Sequence, residues 1–402
     1  MLDVLLFKRS AINHNSLNQW VERIDEQLHR FGVRTHFINL AADQAEIATN
    51  LSNILQNYKI EVALAVNSIG QHNWVNSGTG TNLWDSLGIP FINWIVDHPL
   101  EHYSDLSCTS KNYNVICVDQ NHREFVNRYF PDVKSAFFLP LGGLGDVSAA
   151  AEGYDSFSER EFDVVLTAGL MEPEEIKRNF FGMPRDFREI VLGWTDYMEQ
   201  NITLSPEEAL KRVLKEKYGN LEVSDELYFN LAKIGNQTVF YIRTWIRKKI
   251  VKNLLDSGLT FHIFGSGWNE LNSQSPNSRA ILHGDIPIDE TVSLMKSTKL
   301  AINIMPMFKA GTHDRIATAQ INGAAVLTDT NDYIDQLYDE DEILKYSLDD
   351  IESLPDRIRS ILDDKERLYK VAVAGQKKAK ETLSWNSTGE QLYEILKIIT
   401  DK

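Results

Sequence analysis

Apolar residues in the first third of the chain fall in short runs separated by amphipathic stretches. Leu2–Phe7 is such a run and has the shape of a buried strand. Over about 15–31, Leu17, Trp20, Val21, Ile24 and Leu28 recur at helical spacing on one face. Val33–Leu40 reads as a second strand and Ala45–Leu55 as a second helix. Ile60–Val66 and Pro90–Val96 are the next strands, with a short helix near Asn82–Leu87 between them. Asn114–Val118 and Ala136–Leu139 complete the set. Strands separated by helices pair in parallel through right-handed crossovers. The pattern therefore predicts a Rossmann-like domain over 1–145.

The run Leu139-Pro-Leu-Gly-Gly-Leu-Gly-Asp146 then clusters Pro and Gly, and small residues follow through Gly153. This reads as an interdomain break, with a linker over 146–160. Phe162–Thr167 opens the second half as a strand. A long helical stretch without strands follows, about 171–256. Inside it, Ser205-Pro-Glu-Glu208 is a capping box and Gly219 a helix stop. The part over about 171–238 reads as a helical insert. Strands Thr260–Phe264, Ala280–Leu282, Leu300–Met305, Ala325–Leu327 and Ile343–Tyr346 then alternate with helices, giving a second parallel sheet within 161–380. Helices over about 353–381 and 386–400 end the chain, and the segment 381–402 is expected to pack back toward the first domain. The fold class is α/β, with two Rossmann-like domains facing across a cleft and a helical insertion in the second. Ligands of such sheets bind at the carboxyl ends of the strands, so informative residues should follow strands.

Composition narrows the partners. Of 402 residues, 43% are hydrophobic and 24% charged, an ordinary globular balance. The net charge of −16 disfavours nucleic acid, where a basic stripe must track phosphates. Cys108 and Cys117 are too few for a disulfide framework or a four-sulfur zinc site, and read as reduced thiols. The start has its charge after a short apolar run, the reverse of a secretory signal. No apolar run approaches the ~20 residues of a membrane span. A cytoplasmic location is expected, and oligomerisation stays open.

Two stretches of the second half carry candidate chemistry. After strand Thr260–Phe264 comes Gly265-Ser-Gly-Trp268, where Gly265, Ser266 and Gly267 would let backbone pass close to a phosphate or sugar. An ordinary tight turn explains the glycines equally well. After strand Leu300–Met305 comes Pro306-Met-Phe-Lys-Ala-Gly-Thr-His-Asp-Arg315. Gly311 and Thr312 end a loop at a helix start, where free amides suit a diphosphate. Arg315 adds a forked charge and His313 a donor. Asp314 could cap the helix or orient either neighbour.

In the first half, strand Pro90–Val96 ends in Asp97-His-Pro-Leu-Glu-His102. Asp97 or His98 could serve as a general base, with Pro99 fixing the loop. A polar turn with a satisfied histidine is the alternative. A metal role for His98, Glu101 and His102 fits no standard spacing. His72 and Asn73, in the loop Asn67–Trp74, and His102 would line the acceptor side. Two further signals read as decoys. Asp339-Glu-Asp341 lies in an acidic stretch and reads as solvated charge. Arg243, Arg247, Lys248, Lys249 and Lys252 lie on a helix carrying Phe240, Ile242, Trp245, Ile246 and Ile250, and read as a solvated face over a core stripe, with a membrane-surface role as the alternative.

The runs Phe264-Gly-Ser-Gly-Trp268, His313-Asp-Arg315 and Asn322-Gly-Ala-Ala-Val-Leu-Thr-Asp329, with Trp385-Asn-Ser-Thr before a final helix, resemble the CgeB-type branch of group 1 glycosyltransferases. Val96-Asp-His-Pro99 is similar to the N-terminal domain of these enzymes. The resemblance implies the GT-B architecture, with a nucleotide-sugar on the C-terminal domain and the acceptor on the N-terminal one. It implies that Gly265 and Gly267 approach the diphosphate or sugar. Gly311, Thr312, His313 and Arg315 would meet the phosphates, and Gly284, Asp285 and Ile286 would border the base. It implies no bound metal and no cofactor beyond the donor substrate. One departure stands out. Many retaining relatives carry a Glu-x7-Glu motif, and counted back from Gly323 its positions here are Ala310 and Thr318, so neither carboxylate is present. Retention and inversion both stay open, and inversion would require a first-domain base, Asp97 or His98.

The function expected is sugar transfer from a nucleoside-diphosphate sugar to a glycan, a lipid-linked sugar or a protein. Two alternatives differ in kind. A sugar-nucleotide epimerase or hydrolase would act without an acceptor. A non-catalytic nucleotide-sugar-binding or scaffold protein would bind without turnover.

Overall fold

The computed structural model describes residues 2–9, 16–74, 81–107, 110–219 and 224–401, the side chains of His72 and Asn73 excepted. Cys108 lies outside these residues. The chain divides into two compact units, one of 1–142 with 381–402 and the other of 143–380.

The first unit holds six parallel strands: β1 (Asp3–Lys8), β2 (Arg34–Asn39), β3 (Val62–Val66), β4 (Phe91–Ile95), β5 (Tyr113–Cys117) and β6 (Ser135–Phe138). They lie in the order β2-β1-β3-β4-β5-β6. β3, β4 and β5 are buried along their whole length, as continuous apolar runs covered on both faces should be. The helix Ser16–Arg30 buries Leu17, Trp20, Val21, Ile24 and Leu28, the face read from the sequence. The C-terminal helix Trp385–Thr400 packs on it. Phe31 and Tyr393 stack with ring centroids 4.7 Å apart, and Arg30 donates to the Asn386 side chain at 2.7 Å. A side chain at Gly389 would place its Cβ 2.5 Å from that of Gln27, so glycine lets the two helices close.

The second unit also holds six strands, β7 (Phe162–Thr167), β8 (His262–Phe264), β9 (Ile281–Gly284), β10 (Thr298–Asn303), β11 (Ala325–Asp329) and β12 (Leu344–Tyr346). The order is β12-β11-β10-β7-β8-β9, again all parallel. The chain leaves β7 toward β8 and β9 on one side and returns to β10 on the other. The reversal lies between β7 and β10, and sheets of this order take their ligands there, at the carboxyl ends of the strands. The segment read as a linker contains a short helix, Tyr154–Ser158. The strand-free stretch consists of helices Pro173–Phe180, Arg185–Gln200, Pro206–Tyr218, Asp225–Ile234 and Gln237–Asp256. Its capping box is present: Ser205 accepts from Glu208 N–H and the Glu208 carboxylate reaches back to Ser205 N–H. Trp194 is buried and donates to Pro206 O at 3.0 Å, which ties two of these helices together. Among the described residues no helix is long and apolar enough to cross a membrane.

Candidate active site

At the reversal of the second sheet stands Arg315. The helix Asp314–Ile321 begins after β10 and carries it on the first turn. Its Nη1 donates to Thr167 O at the end of β7 at 2.7 Å, and its Nη2 lies 3.4 Å from Ile304 O just past β10. One guanidinium thus spans the two strands between which the sheet reverses. Burial lowers its pKa, against the pull of Asp314 and Asp329.

The residues before it are fixed from several sides. Asn331 donates to Phe308 O at 2.8 Å and to Gly311 O at 3.0 Å. Thr312 is buried, and its hydroxyl has no hydrogen-bond partner. His313 caps the helix. Its Nδ1 lies 2.6 Å from the Asp314 carboxylate and 3.2 Å from Arg315 N–H. With Nδ1 bare it accepts from the helix amide, and with a proton there it pairs with Asp314. Asp329, at the end of β11, accepts Met305 N–H at 2.8 Å. Burial pushes its pKa up to about 6, against the pull of that amide and of Lys309 and Arg315.

The Gly-Ser-Gly turn has a packing reason that the sequence did not disclose. Gly265 has φ +152° and Gly267 φ +91°. A Cβ on Gly265 would lie 2.1 Å from Ala168 O, and one on Gly267 2.0 Å from Leu170 O. The β7 exit therefore packs directly on this turn. Trp268 is buried and donates to Ala168 O at 2.7 Å, which fastens the same contact. Ser266 N–H donates to the exposed Asp285 carboxylate at 2.7 Å, and Gly265 bridges to Gly284. Gly284 ends β9 and is not part of the following loop, because the strand bulges near its end and runs on past Leu282. Asp285 and half-buried Ile286 follow it. The structure thus joins Gly265, Ser266, Gly284 and Asp285, and separately gathers Gly311, Thr312, His313 and Arg315 around the start of one helix.

Thr318, at the second glutamate position of the retaining relatives, is buried and accepts Leu144 N–H at 3.0 Å. Its hydroxyl serves the packing of the segment that enters this unit. Asp339, Glu340 and Asp341 lie exposed in a turn after the helix Asp332–Leu337, in keeping with solvated charge.

One reading needs correction. The helix Gln237–Asp256 was expected to turn its basic residues to water, and Lys249 does so. Arg247 does not. It donates to Gly169 O at 2.8 Å, and burial, then Arg315 and Arg243, push its pKa down to about 9. The helical wheel carried the signal: Thr244 and Val251, three residues before and four after it, are both buried.

In the first unit, Asp97 follows β4 and is half-buried, with one carboxylate oxygen 3.3 Å from the Asn67 amide. His98 is buried. Its Nδ1 accepts Leu100 N–H at 3.2 Å and caps the short 3-10 helix Pro99–His102. Its ring packs edge-on against His122 and Phe125, with centroids 4.7 and 5.4 Å away. His102 Nδ1 lies 3.5 Å from both Ser68 Oγ and Asp105, and its Nε2 is buried without a hydrogen bond. His72 and Asn73 belong to the short helix Gln71–Trp74, and their side chains are outside the described residues.

Sequence reasoning passed over Asn93 in the middle of β4. It accepts Ser68 N–H at 2.8 Å and donates to Ser68 Oγ at 2.8 Å and Tyr113 OH at 2.9 Å. It thereby holds the β3 exit, where Asn67 and Ser68 both take left-handed backbone at φ 50° and 62°. A polar residue inside the apolar run Phe91–Ile95 was the available signal.

Residues 243–394 match the model of a family described as glycosyl transferase-like. Among solved structures, a sucrose-phosphate synthase from Thermosynechococcus elongatus superposes with a TM-score of 0.60 at 9% identity, over 100% of both chains. Anabaena Alr3699/HepE in complex with UDP-glucose gives 0.56 at 11% identity, over 99% of this chain and 100% of that one. AviGT4, a glycosyltransferase involved in avilamycin A biosynthesis, gives 0.51 at 11% identity, over 100% and 98%. No curated protein matches by sequence. The fold is that of GT-B glycosyltransferases, two Rossmann-like units in one chain. Fold and family match together define the class of enzyme as a glycosyltransferase.

Proposed function

We propose that this chain transfers a glycosyl group from a nucleoside-diphosphate sugar to a hydroxyl of a glycan, lipid-linked or protein acceptor, in the cytoplasm and without a metal ion. We assign it to the CgeB-type branch. The observation that carries the reading is Arg315, spanning the β7 and β10 exits beside a buried Thr312 hydroxyl that lacks a hydrogen bond. A departing diphosphate requires fixed cations and donors where its charge develops. Gly311, Thr312, His313 and Arg315 would meet the phosphates. Gly265, Ser266 and Gly267 would border the sugar, and Gly284, Asp285 and Ile286 the base. The UDP-glucose held by the Anabaena protein supports a donor of this chemical kind.

In the reaction, the acceptor oxygen attacks the anomeric carbon, the carbon–oxygen bond to the diphosphate breaks, and a base takes the acceptor proton. Asp97 is our choice of base. Its carboxylate stands at a strand exit and is oriented by Asn67. His98 already spends Nδ1 on a helix cap and its ring on packing. His102, with His72 and Asn73, would face the acceptor. Arg315 would offset the charge of the leaving diphosphate, the role a metal plays in other transferases.

The test is a thermal-shift screen of nucleoside diphosphates and their sugars, with EDTA present, on wild type and Arg315→Ala. A ligand at ~100 times its Kd stabilises the fold by about 2.7 kcal/mol. A shift with one nucleotide family, lost in the variant, is expected. No shift with any member, in folded wild-type protein, would overturn the donor reading. Donor breakdown that proceeds at full rate without any acceptor would favour a hydrolase or epimerase.

A further inference from the structure

The helix Gln237–Asp256 follows the insert and runs beside the β7 exit. Arg247 and Lys248 stand about one turn beyond Thr244 on one side of the helix. Thr244 Oγ1 donates to Met171 O at 2.7 Å, Arg247 to Gly169 O at 2.8 Å, and Lys248 pairs with Glu172. Thr244 and Lys248 are fully accounted for as a clasp on the segment 169–172. Arg247 is not, because a neutral donor would serve Gly169 O equally well. Its Nε is buried without a hydrogen-bond partner, and no carboxylate offsets its charge among the described residues. The charges that reach it, Arg315 and Arg243, are both positive. A half-buried cation with a buried, unpartnered Nε, held near two other cations, destabilises the ligand-free protein. Folds retain such a cost where binding recovers it.

We propose that Arg247 is an anion-binding residue supplied by the helix that follows the insert, and that it grips the donor diphosphate together with Arg315. The inference rests on the donor reading above. The two guanidinium groups sit on Thr167 O and Gly169 O, two residues apart on the same strand exit. Asp314 and Asp329 partly neutralise Arg315, whereas Arg247 has no such neighbour. A polyanion therefore gains most at Arg247. Its seating would fasten the helix Gln237–Asp256 to the β7 exit, which gives that helix a part in ligand binding.

The test uses Arg247→Gln, with inorganic pyrophosphate and UDP as probes. Glutamine keeps a donor for Gly169 O and removes the charge. The variant without ligand should melt at the wild-type temperature or above it. Its pyrophosphate-induced shift should vanish, and its Kd for UDP should rise at least tenfold. A purely structural role gives the reverse, a lower melting temperature with an unchanged Kd for UDP, and would overturn the proposal. Should the variant not fold, hydrogen exchange on wild type decides. UDP should slow exchange over 243–250 and 169–172, and unchanged exchange there overturns the proposal. If wild type binds neither probe, the donor reading falls and this inference with it. If Arg315→Ala abolishes UDP binding while Arg247→Gln keeps it, only the present inference fails.

Discussion

At the exits of β3 and β4 in the first unit, the polar groups around Asn93 close on one another, His102 Nε2 nearby excepted. At the exits of β7 and β10 in the second, they are left open. Asn93, Ser68, Gln71 and Tyr113 form a chain of hydrogen bonds in which Tyr113 OH donates to Gln71 at 2.7 Å. Burial raises the Tyr113 pKa far above the usual phenol range, so it stays a neutral member of that chain. In the second unit the Thr312 hydroxyl and Arg247 Nε are buried without partners, and two arginines rest on main-chain carbonyls. Two six-stranded parallel sheets of different strand order thus hold their loops by different means. A satisfied network fixes backbone and side chains in one arrangement. Unspent donors and cations hold valence for a ligand.

Three substitutions would break or sharpen this contrast. Asp97→Asn tests whether the closed network serves to aim a base. Removing a general base lowers rate by about 10²–10⁴-fold. The variant should lose that much donor turnover in the presence of acceptor while binding UDP as wild type does. Full turnover would leave the first unit's network without a catalytic purpose. Next in size, Asn93→Ala should destabilise the protein by about 2–3 kcal/mol, because buried donors and acceptors lose their partner. Urea denaturation measures it. A change well under 1 kcal/mol would mean that water replaces the amide and that the network is less closed than described.

The smallest effect belongs to Asp329, where the open site carries a raised pKa. Folded, it titrates at about 6, above the ordinary carboxyl value of 3.8. The folded state therefore binds the proton more tightly, and this contribution to stability is fully present below the unfolded pKa. It is lost as pH rises through about 6. Asp329→Asn should remove roughly 2 kcal/mol of that pH dependence, read from melting curves between pH 4 and about 7. An Asp329→Asn protein whose melting temperature follows pH as wild type does would show that the buried carboxylate is not the titrating group.

Much of the molecule was legible from the sequence. All twelve strands were read in order, because the central ones are short apolar runs covered on both faces and the edge strands β2, β6 and β9 alternate regularly with helices. The capping box at Ser205 was read because its two hydrogen bonds are local. The start of the helix Asp314–Ile321 was legible for the same reason. Ends of strands were less so: β9 runs through Gly284, since a bulge shifts its register against β8. Arg247 and Asn93 escaped because their partners, Gly169 and Ser68, come from other segments of the chain. The glycines of Gly265-Ser-Gly267 were legible as important. The atoms that require them, Ala168 O and Leu170 O, were not.

The sequence by itself determined the alternation of strands and helices, and with it two parallel sheets, because periodicity and local capping are properties of neighbouring residues. It also determined that Arg315 stands on the first turn of a helix that follows a strand. Only the tertiary structure decided that this turn lies where the second sheet reverses, between β7 and β10, since strand order depends on pairings distant in the chain. Only it decided which charges are buried. A helix presents the same residues whatever packs against it, and the β7 exit is what takes Arg247 out of water.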